Sequence, residues 1–155
     1  MLIEGSCHCR NVTFTLAWEP DPAHMPARAC TCSFCTKHGG VWTSTPDGSL
    51  AIAIADPARL SIYAFGTGTA DFHVCATCGA VPVVTSRIDG RLYAVVSVNA
   101  FDDVDSALLV RARATFDGES ETARLARRKR GWISRVEYVT ATPARRREDD
   151  AAPAG

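Results

Sequence analysis

Long apolar runs are missing from this sequence. The longest, Leu50 to Ala55, falls far short of the roughly 20 residues a membrane-spanning helix needs. The opening Met1-Leu2-Ile3-Glu4-Gly5 has neither the basic start nor the apolar stretch of a secretory signal. A soluble, cytoplasmic protein without a membrane partner is therefore expected. Net charge is missing too, because 17 basic residues meet 17 acidic ones, so only the distribution of charge carries information. No internal repeat and no linker divides the 155 residues, a length suited to one folded unit.

What is present is ordinary in bulk. Hydrophobic residues make up 46% and charged residues 22% of the chain, which excludes a wholly disordered or collagen-like polypeptide. From Arg145 onward no large apolar residue occurs. The expectation is a single domain over residues 1–143 and a disordered tail over 144–155.

The unusual feature is cysteine. All seven lie between Cys7 and Cys78, in three groups: Cys7-His8-Cys9, Cys30-Thr31-Cys32-Ser33-Phe34-Cys35 and Cys75-Ala76-Thr77-Cys78-Gly79. A disulfide framework fits poorly: the count is odd, no secretion signal is seen, and a Cys-x-Cys pair bridges only with strain. Metal binding fits better, since short Cys-x-Cys and Cys-x-x-Cys turns let two sulfurs converge on one ion. Seven thiolates divide into one closed site of four and one site of three that keeps a position for water or substrate. Spacing does not decide which pairs combine, because Cys75 and Cys78 could join either earlier group. Two zinc ions on seven thiolates would bring the net charge to about −3.

Around these groups the pattern is mainly β. Val12, Phe14 and Leu16 alternate with Thr13 and Thr15, the period-two signature of a half-buried strand. Strands are also expected at Val41–Thr43, Leu50–Ile54, Leu60–Phe65, Val81–Thr85, Leu92–Val98 and Leu108–Phe116, with Asp89-Gly90 turning a hairpin. Trp18 to Pro26 reads as an irregular loop that delivers Cys30, and Gly39-Gly40 as a tight turn. One short C-terminal helix, Ser120 to Lys129, is predicted. Asp117, Glu119 and Glu121 near its start and basic residues at its end suit the helix dipole.

With the cysteine groups placed, the sequence resembles the family of glutathione-dependent formaldehyde-activating enzymes, which includes centromere protein V. The resemblance spans about residues 3 to 140 and rests on Gly5-Ser6-Cys7-His8-Cys9, on Cys30 to Cys35 followed by Lys37-His38-Gly39, and on Cys75-Ala76-Thr77-Cys78-Gly79. It implies a β-tent fold, small sheets packed over zinc-binding turns. It also implies that Cys7, Cys9, Cys75 and Cys78 hold a structural zinc, and that Cys30, Cys32 and Cys35 hold a catalytic one. The implied activity is that of a zinc-dependent carbon–sulfur lyase, in which the thiolate of glutathione adds to formaldehyde to give S-hydroxymethylglutathione. The implied partners are a small-molecule thiol and a small aldehyde. Nothing in the sequence sets the oligomeric state.

Beside the cysteines, His38 or His73 is a candidate for proton transfer and His8 for orienting the first thiolate turn. Trp42, Phe34 and Phe72 read as core aromatics. The carboxylates of glutathione need cationic partners, for which Arg10, Arg28 and Arg87 are candidates. Two places depart from the family pattern: Arg10 stands where a small Gly is usual, and Ser97 to Asp103 replaces a Gly-Thr-Leu-Asp ending. An alternative function is a non-enzymatic, zinc-scaffolded module that binds nucleic acid or another polyanion through the basic stretch from Arg124 to Arg147. That stretch has only Trp132 as a nearby aromatic and lacks a nucleic-acid motif, so nucleic acid is not the expected partner.

Overall fold

The computed structural model describes residues 1–141; the tail expected over 144–155 lies outside the described residues. In chain order the strands and helices are β1 (Leu2–Ser6), β2 (Val12–Ala17), β3 (Met25–Cys30), α1 (Ser33–His38), β4 (Val41–Thr43), β5 (Ser49–Ile54) and β6 (Leu60–Tyr63). Then follow β7 (Asp71–Cys75), β8 (Val83–Ile88), β9 (Arg91–Ser97), β10 (Leu109–Ala114), α2 (Glu121–Gly131) and β11 (Arg135–Val139). They form a four-stranded sheet ordered β1-β2-β5-β11 and a seven-stranded sheet ordered β10-β3-β4-β9-β8-β7-β6. The mainly β architecture is the expected one.

Alternation decides which faces meet. In β2 Val12, Phe14 and Leu16 are buried while Thr13 and Thr15 are half-exposed, and Leu50 and Ile52 of the adjacent β5 follow the same rule. Phe14, Leu16, Leu50 and Ile52 pack with Ile3, Met25, Val83, Ala94, Val96 and Ile133 into the main core, while Val12 packs against Cys7 and Cys75. That core lies between the four-stranded sheet and one face of the seven-stranded one. The opposite face of the larger sheet carries Trp42, Phe72, Val84 and Val95, which pack with Cys35 and Phe34 of α1 and with Trp132. The sheet thus keeps a scaffold side and a side bearing the middle cysteine group.

Two turns need unusual backbone. Asp89 and Gly90 both have positive φ, 50° and 78°, as the tight hairpin between β8 and β9 demands. Gly5, opposite Phe14 in the β1–β2 ladder, is required for space: a Cβ there would sit 2.1 Å from Phe14 Cζ and 2.7 Å from the Ala100 carbonyl oxygen. Gly5→Ala is accordingly expected to cost about 1–3 kcal/mol through overpacking, read as a lower urea midpoint with an unchanged slope.

Several elements differ from the sequence expectation. The supposed loop before Cys30 contains β3, with Pro26 inside it. β4 pairs with β3 only at Arg28 and Ala29, so at Pro26 the missing N–H forfeits no bond to that neighbour. The middle cysteines lead from the end of β3 into a second helix, α1, which carries Cys35 and is too short to show periodicity. It is capped at one end by the Cys32 sulfur and at the other by Gly39 at φ 71°. Strands β1 and β11 lie outside the segments the sequence marks as strands; their alternation is short, and β11 is largely exposed. The C-terminal helix is present with Ser120 as its N-cap.

Candidate metal centres

Each cysteine group is built by local geometry. Cys7 and Cys9 follow β1 in a turn held by the Arg10 N–H on the Cys7 carbonyl (2.8 Å) and the Val12 N–H on Cys7 Sγ (3.3 Å). Cys75 ends β7, and its carbonyl accepts the Gly79 N–H at 2.8 Å, which curls Cys78 back beside it. The strand order brings these two turns together. Cys7 and Cys9 Sγ are 3.8 Å apart, Cys9 and Cys75 Sγ 3.4 Å, and all four sulfurs lie within 4.8 Å of one another. A tetrahedral zinc with sulfurs at about 2.3 Å needs sulfur–sulfur edges of about 3.8 Å, so the four donors fit such an ion. Cys7 and Cys75 are fully buried, and all seven cysteines are free thiols.

The middle group is different in kind. Cys30 ends β3, Cys32 caps α1 and Cys35 lies one turn into it; their sulfurs also lie within 4.8 Å of one another. Among the described residues no fourth His, Cys, Asp or Glu joins them. The Cys35 N–H points at Cys32 Sγ (3.4 Å), and the Trp42 indole N–H donates to Cys35 Sγ at 3.3 Å. A hydrogen bond from Cys35 brings the Cys30 thiol down to about 6, with the charge of Arg127 contributing, while the same bond and burial push Cys35 up. In the four-sulfur group burial pushes Cys7 up to about 12. Cys78 comes down to about 6: burial opposes its ionisation, but hydrogen bonds from the backbone amides of Ala80 and Cys9 and from the Cys75 and Cys9 thiols together outweigh it. Before any metal arrives, each group therefore has one sulfur poised to ionise.

Trp42 is the functional candidate that sequence reasoning passed over. A buried indole N–H has to find an acceptor, and Trp42, only 8% exposed, finds it on a cysteine. Its ring lies 6.0 Å from those of Phe72 and His38 between centroids, and Phe34 lies 4.5–5.5 Å from His38, Tyr63, Phe65 and Phe72. Trp42 and Phe72 are buried core residues as expected, Phe34 and Phe65 are half-buried against them, and these four also wall the three-sulfur group, whereas Tyr63 is exposed.

The histidines separate cleanly. His73 faces the inter-sheet core, where its Nδ1–H donates to the Asp71 carbonyl (3.2 Å) and its Nε2 accepts the Tyr138 hydroxyl (2.7 Å); it is not on the side of Cys30, Cys32 and Cys35. His38 is on that side, with Nε2 buried and unpartnered among the described residues. His8 is exposed and does not hold the first turn, which backbone amides hold instead.

The two departures from the family pattern meet each other. Arg10 adopts φ 59°, the left-handed region that favours glycine. Its guanidinium reaches Asp102 at 3.3 Å, and Asp102 also accepts Ser6 Oγ at 2.8 Å. Asn99 from the same stretch donates to the Gly39 carbonyl at 2.9 Å, closing the end of α1.

Within the described part of the basic stretch Arg128 is buried, Arg124 and Arg127 are half-buried, and Lys129, Arg130 and Arg135 are exposed. Arg127 grips Glu119 with two 2.9 Å bonds and Arg124 lies 3.7 Å from the same carboxylate, which holds Glu119 below the usual carboxylate range. Arg128 is buried on Thr69 and Ser86, Lys129 pairs with Asp89, and Arg135 pairs with Glu19. Arg145 to Arg147 lie outside the described residues.

The profile of the glutathione-dependent formaldehyde-activating enzyme matches residues 2–116. The chain belongs to that family. The matched region holds every cysteine and ends before α2, so that helix and β11 stand outside it. Among solved structures, the crystal structure of a Rhodobacter sphaeroides protein is 27% identical, covering 68% of this chain and 93% of that one, with a TM-score of 0.49. No match was found among curated proteins. No helix among the described residues is long and apolar enough to cross a membrane.

Proposed function

We propose that this chain is a zinc-dependent carbon–sulfur lyase that forms or cleaves a thiol–aldehyde adduct such as S-hydroxymethylglutathione. The observation that carries the reading is a complete cluster of four sulfurs and an incomplete cluster of three in one chain of this family. Cys7, Cys9, Cys75 and Cys78 would hold a structural zinc, and Cys30, Cys32 and Cys35 the zinc of the reaction. Bound there, zinc supplies positive charge that favours a thiolate over a thiol and polarises a carbonyl.

In the reaction a sulfur–carbon bond forms, the carbonyl π bond opens, and the resulting alkoxide takes up one proton; the reverse step returns thiol and aldehyde. Cys30, Cys32 and Cys35 anchor the centre, with the Trp42 N–H fixing the Cys35 sulfur. Phe34, Phe65 and Phe72 keep water from the adduct. His38, whose burial lowers its pKa, is neutral at pH 7 and serves as the proton carrier, taking the thiol proton and returning it to the alkoxide.

The test is to combine zinc-loaded protein with glutathione and formaldehyde and follow the adduct by NMR. Acceleration over the uncatalysed rate that disappears on chelation supports the reading; two zinc ions per chain with no acceleration rejects it. Trp42→Phe is expected to weaken retention of the second metal about 10- to 100-fold, read by chelator competition, while the four-sulfur group stays filled.

A further inference from the structure

The aromatic rings beside Cys30, Cys32 and Cys35 cover one another at the sheet, but the cluster has an open end. Tyr63 is the last residue of β6 and stands in register with Phe72 of β7, so its ring projects from the face that carries Phe72 and the three-sulfur group. There it lies 4.7 Å from Phe34 between centroids and stacks on Phe65 at 5.6 Å and 20°, yet 43% of it is exposed. Phe34 lies between Cys32 and Cys35 in the chain and packs, like Cys30 and Cys32, against Cys35, Trp42 and Phe72. Apolar surface therefore runs from the sulfurs through Phe34 and Phe65 to the solvent-exposed Tyr63.

The turn behind these rings holds them in place. Gly68 N–H returns to the Phe65 carbonyl at 3.1 Å, with Gly66 and Gly68 both at positive φ, 63° and 65°. Just beyond, the carbonyl and hydroxyl of Thr69 each accept a 2.8 Å bond from Arg128, a buried cation of α2. Tyr63 and Phe65 thus form a platform fixed from both ends, and a ligand that lies on it meets rings that need little ordering. A single exposed aromatic is ordinary on a protein surface; this one is continuous with a reactive centre.

The chemistry of that centre says what would lie there. A carbonyl carbon within bonding distance of a sulfur carries two further substituents. In formaldehyde both are hydrogens, which touch none of these rings. A flat aromatic substituent would lie against Tyr63 and Phe65 and meet Phe34 edge-on or tilted, the geometries in which aromatic pairs attract.

We propose that the site takes an aryl group on the carbon bonded to the substrate sulfur, so that the carbonyl partner is an aryl aldehyde. This rests on the reading of Cys30, Cys32 and Cys35 as the reaction centre. The bond changes balance as they do for formaldehyde: the sulfur–carbon bond forms, the π pair passes to oxygen, and that oxygen takes the proton the thiol gave up. The aryl group replaces one hydrogen on carbon and takes no part in them.

The probes are S-benzylglutathione and S-methylglutathione, neither of which has a free thiol; they differ by an aryl group on the carbon next to sulfur. Calorimetry on the zinc-loaded full chain is expected to show the benzyl compound binding about tenfold tighter. Tyr63→Ala, at an exposed position, should keep the melting curve and cut that preference to about threefold or less, whereas Tyr63→Phe should retain it, because the ring makes the contact. Equal binding of the two probes, binding of neither, or a preference unchanged in Tyr63→Ala overturns the proposal. If Tyr63→Ala loses its unfolding transition, Tyr63→Leu decides, and must show a reduced preference. Acceleration with glutathione and formaldehyde beside equal probe binding leaves the lyase reaction standing and removes the aryl site. A Tyr63-dependent preference with no acceleration, from formaldehyde or from benzaldehyde, keeps the aryl site and removes the reaction.

Discussion

Cys75→Ser protein is expected to lose both a zinc equivalent and its cooperative unfolding transition. Cys75 ends β7 in the seven-stranded sheet, whereas Cys7 and Cys9 follow β1 in the four-stranded one, so an ion held by these sulfurs ties the two sheets together. The cluster is packed under Val12, with Cys7 and Cys75 at 0% exposure, and the residues it joins are more than 60 apart in the chain. Structural zinc is worth roughly 10–16 kcal/mol in small peptides, comparable to or above the roughly 5–15 kcal/mol net stability of a domain. A serine in place of a buried thiolate removes most of that and leaves a poorly matched polar group. Circular dichroism on heating, alongside metal analysis, reads the outcome; a wild-type melting curve with one zinc lost would refute the structural role.

Cys30→Ser should do the opposite: a fall in adduct turnover of about a thousandfold or more, with thermal unfolding close to that of the unmodified chain. Cys30, Cys32 and Cys35 all belong to one corner of the larger sheet and its adjoining helix. The main core of Ile3, Leu16, Leu50, Val83 and Val96 does not depend on them. Removing this centre therefore breaks no link between sheets. Turnover with glutathione and formaldehyde, measured beside the melting curve, separates the two variants, and equal damage from both would end the division into structural and reactive sites.

Much of the candidate site was readable before any coordinates. The three cysteine groups announced themselves because a Cys-x-Cys or Cys-x-x-Cys turn places two sulfurs on one ion whatever surrounds it. The β2 and β5 alternation and the Asp89-Gly90 hairpin were readable for the same reason, being properties of a few adjacent residues. β3 was hidden by Pro26, which signals a break unless one knows that β4 starts pairing only at Arg28. α1 was hidden because six residues are too few to display a helical period. The charges of the basic stretch were readable, and so was Glu119 beside them, but not that Asp89 and Glu19 come from distant segments to pair with Lys129 and Arg135.

The sequence by itself thus determined the half-sites, the mainly β character and the helix over Ser120 to Lys129, all set by neighbours within one turn or one strand. Only the tertiary structure decided that Cys7 and Cys9 meet Cys75 and Cys78. It also decided that Trp42 donates to Cys35. Those facts follow from strand order and from which face of a sheet is covered, and spacing along the chain places no limit on atoms that meet only after the sheets have packed.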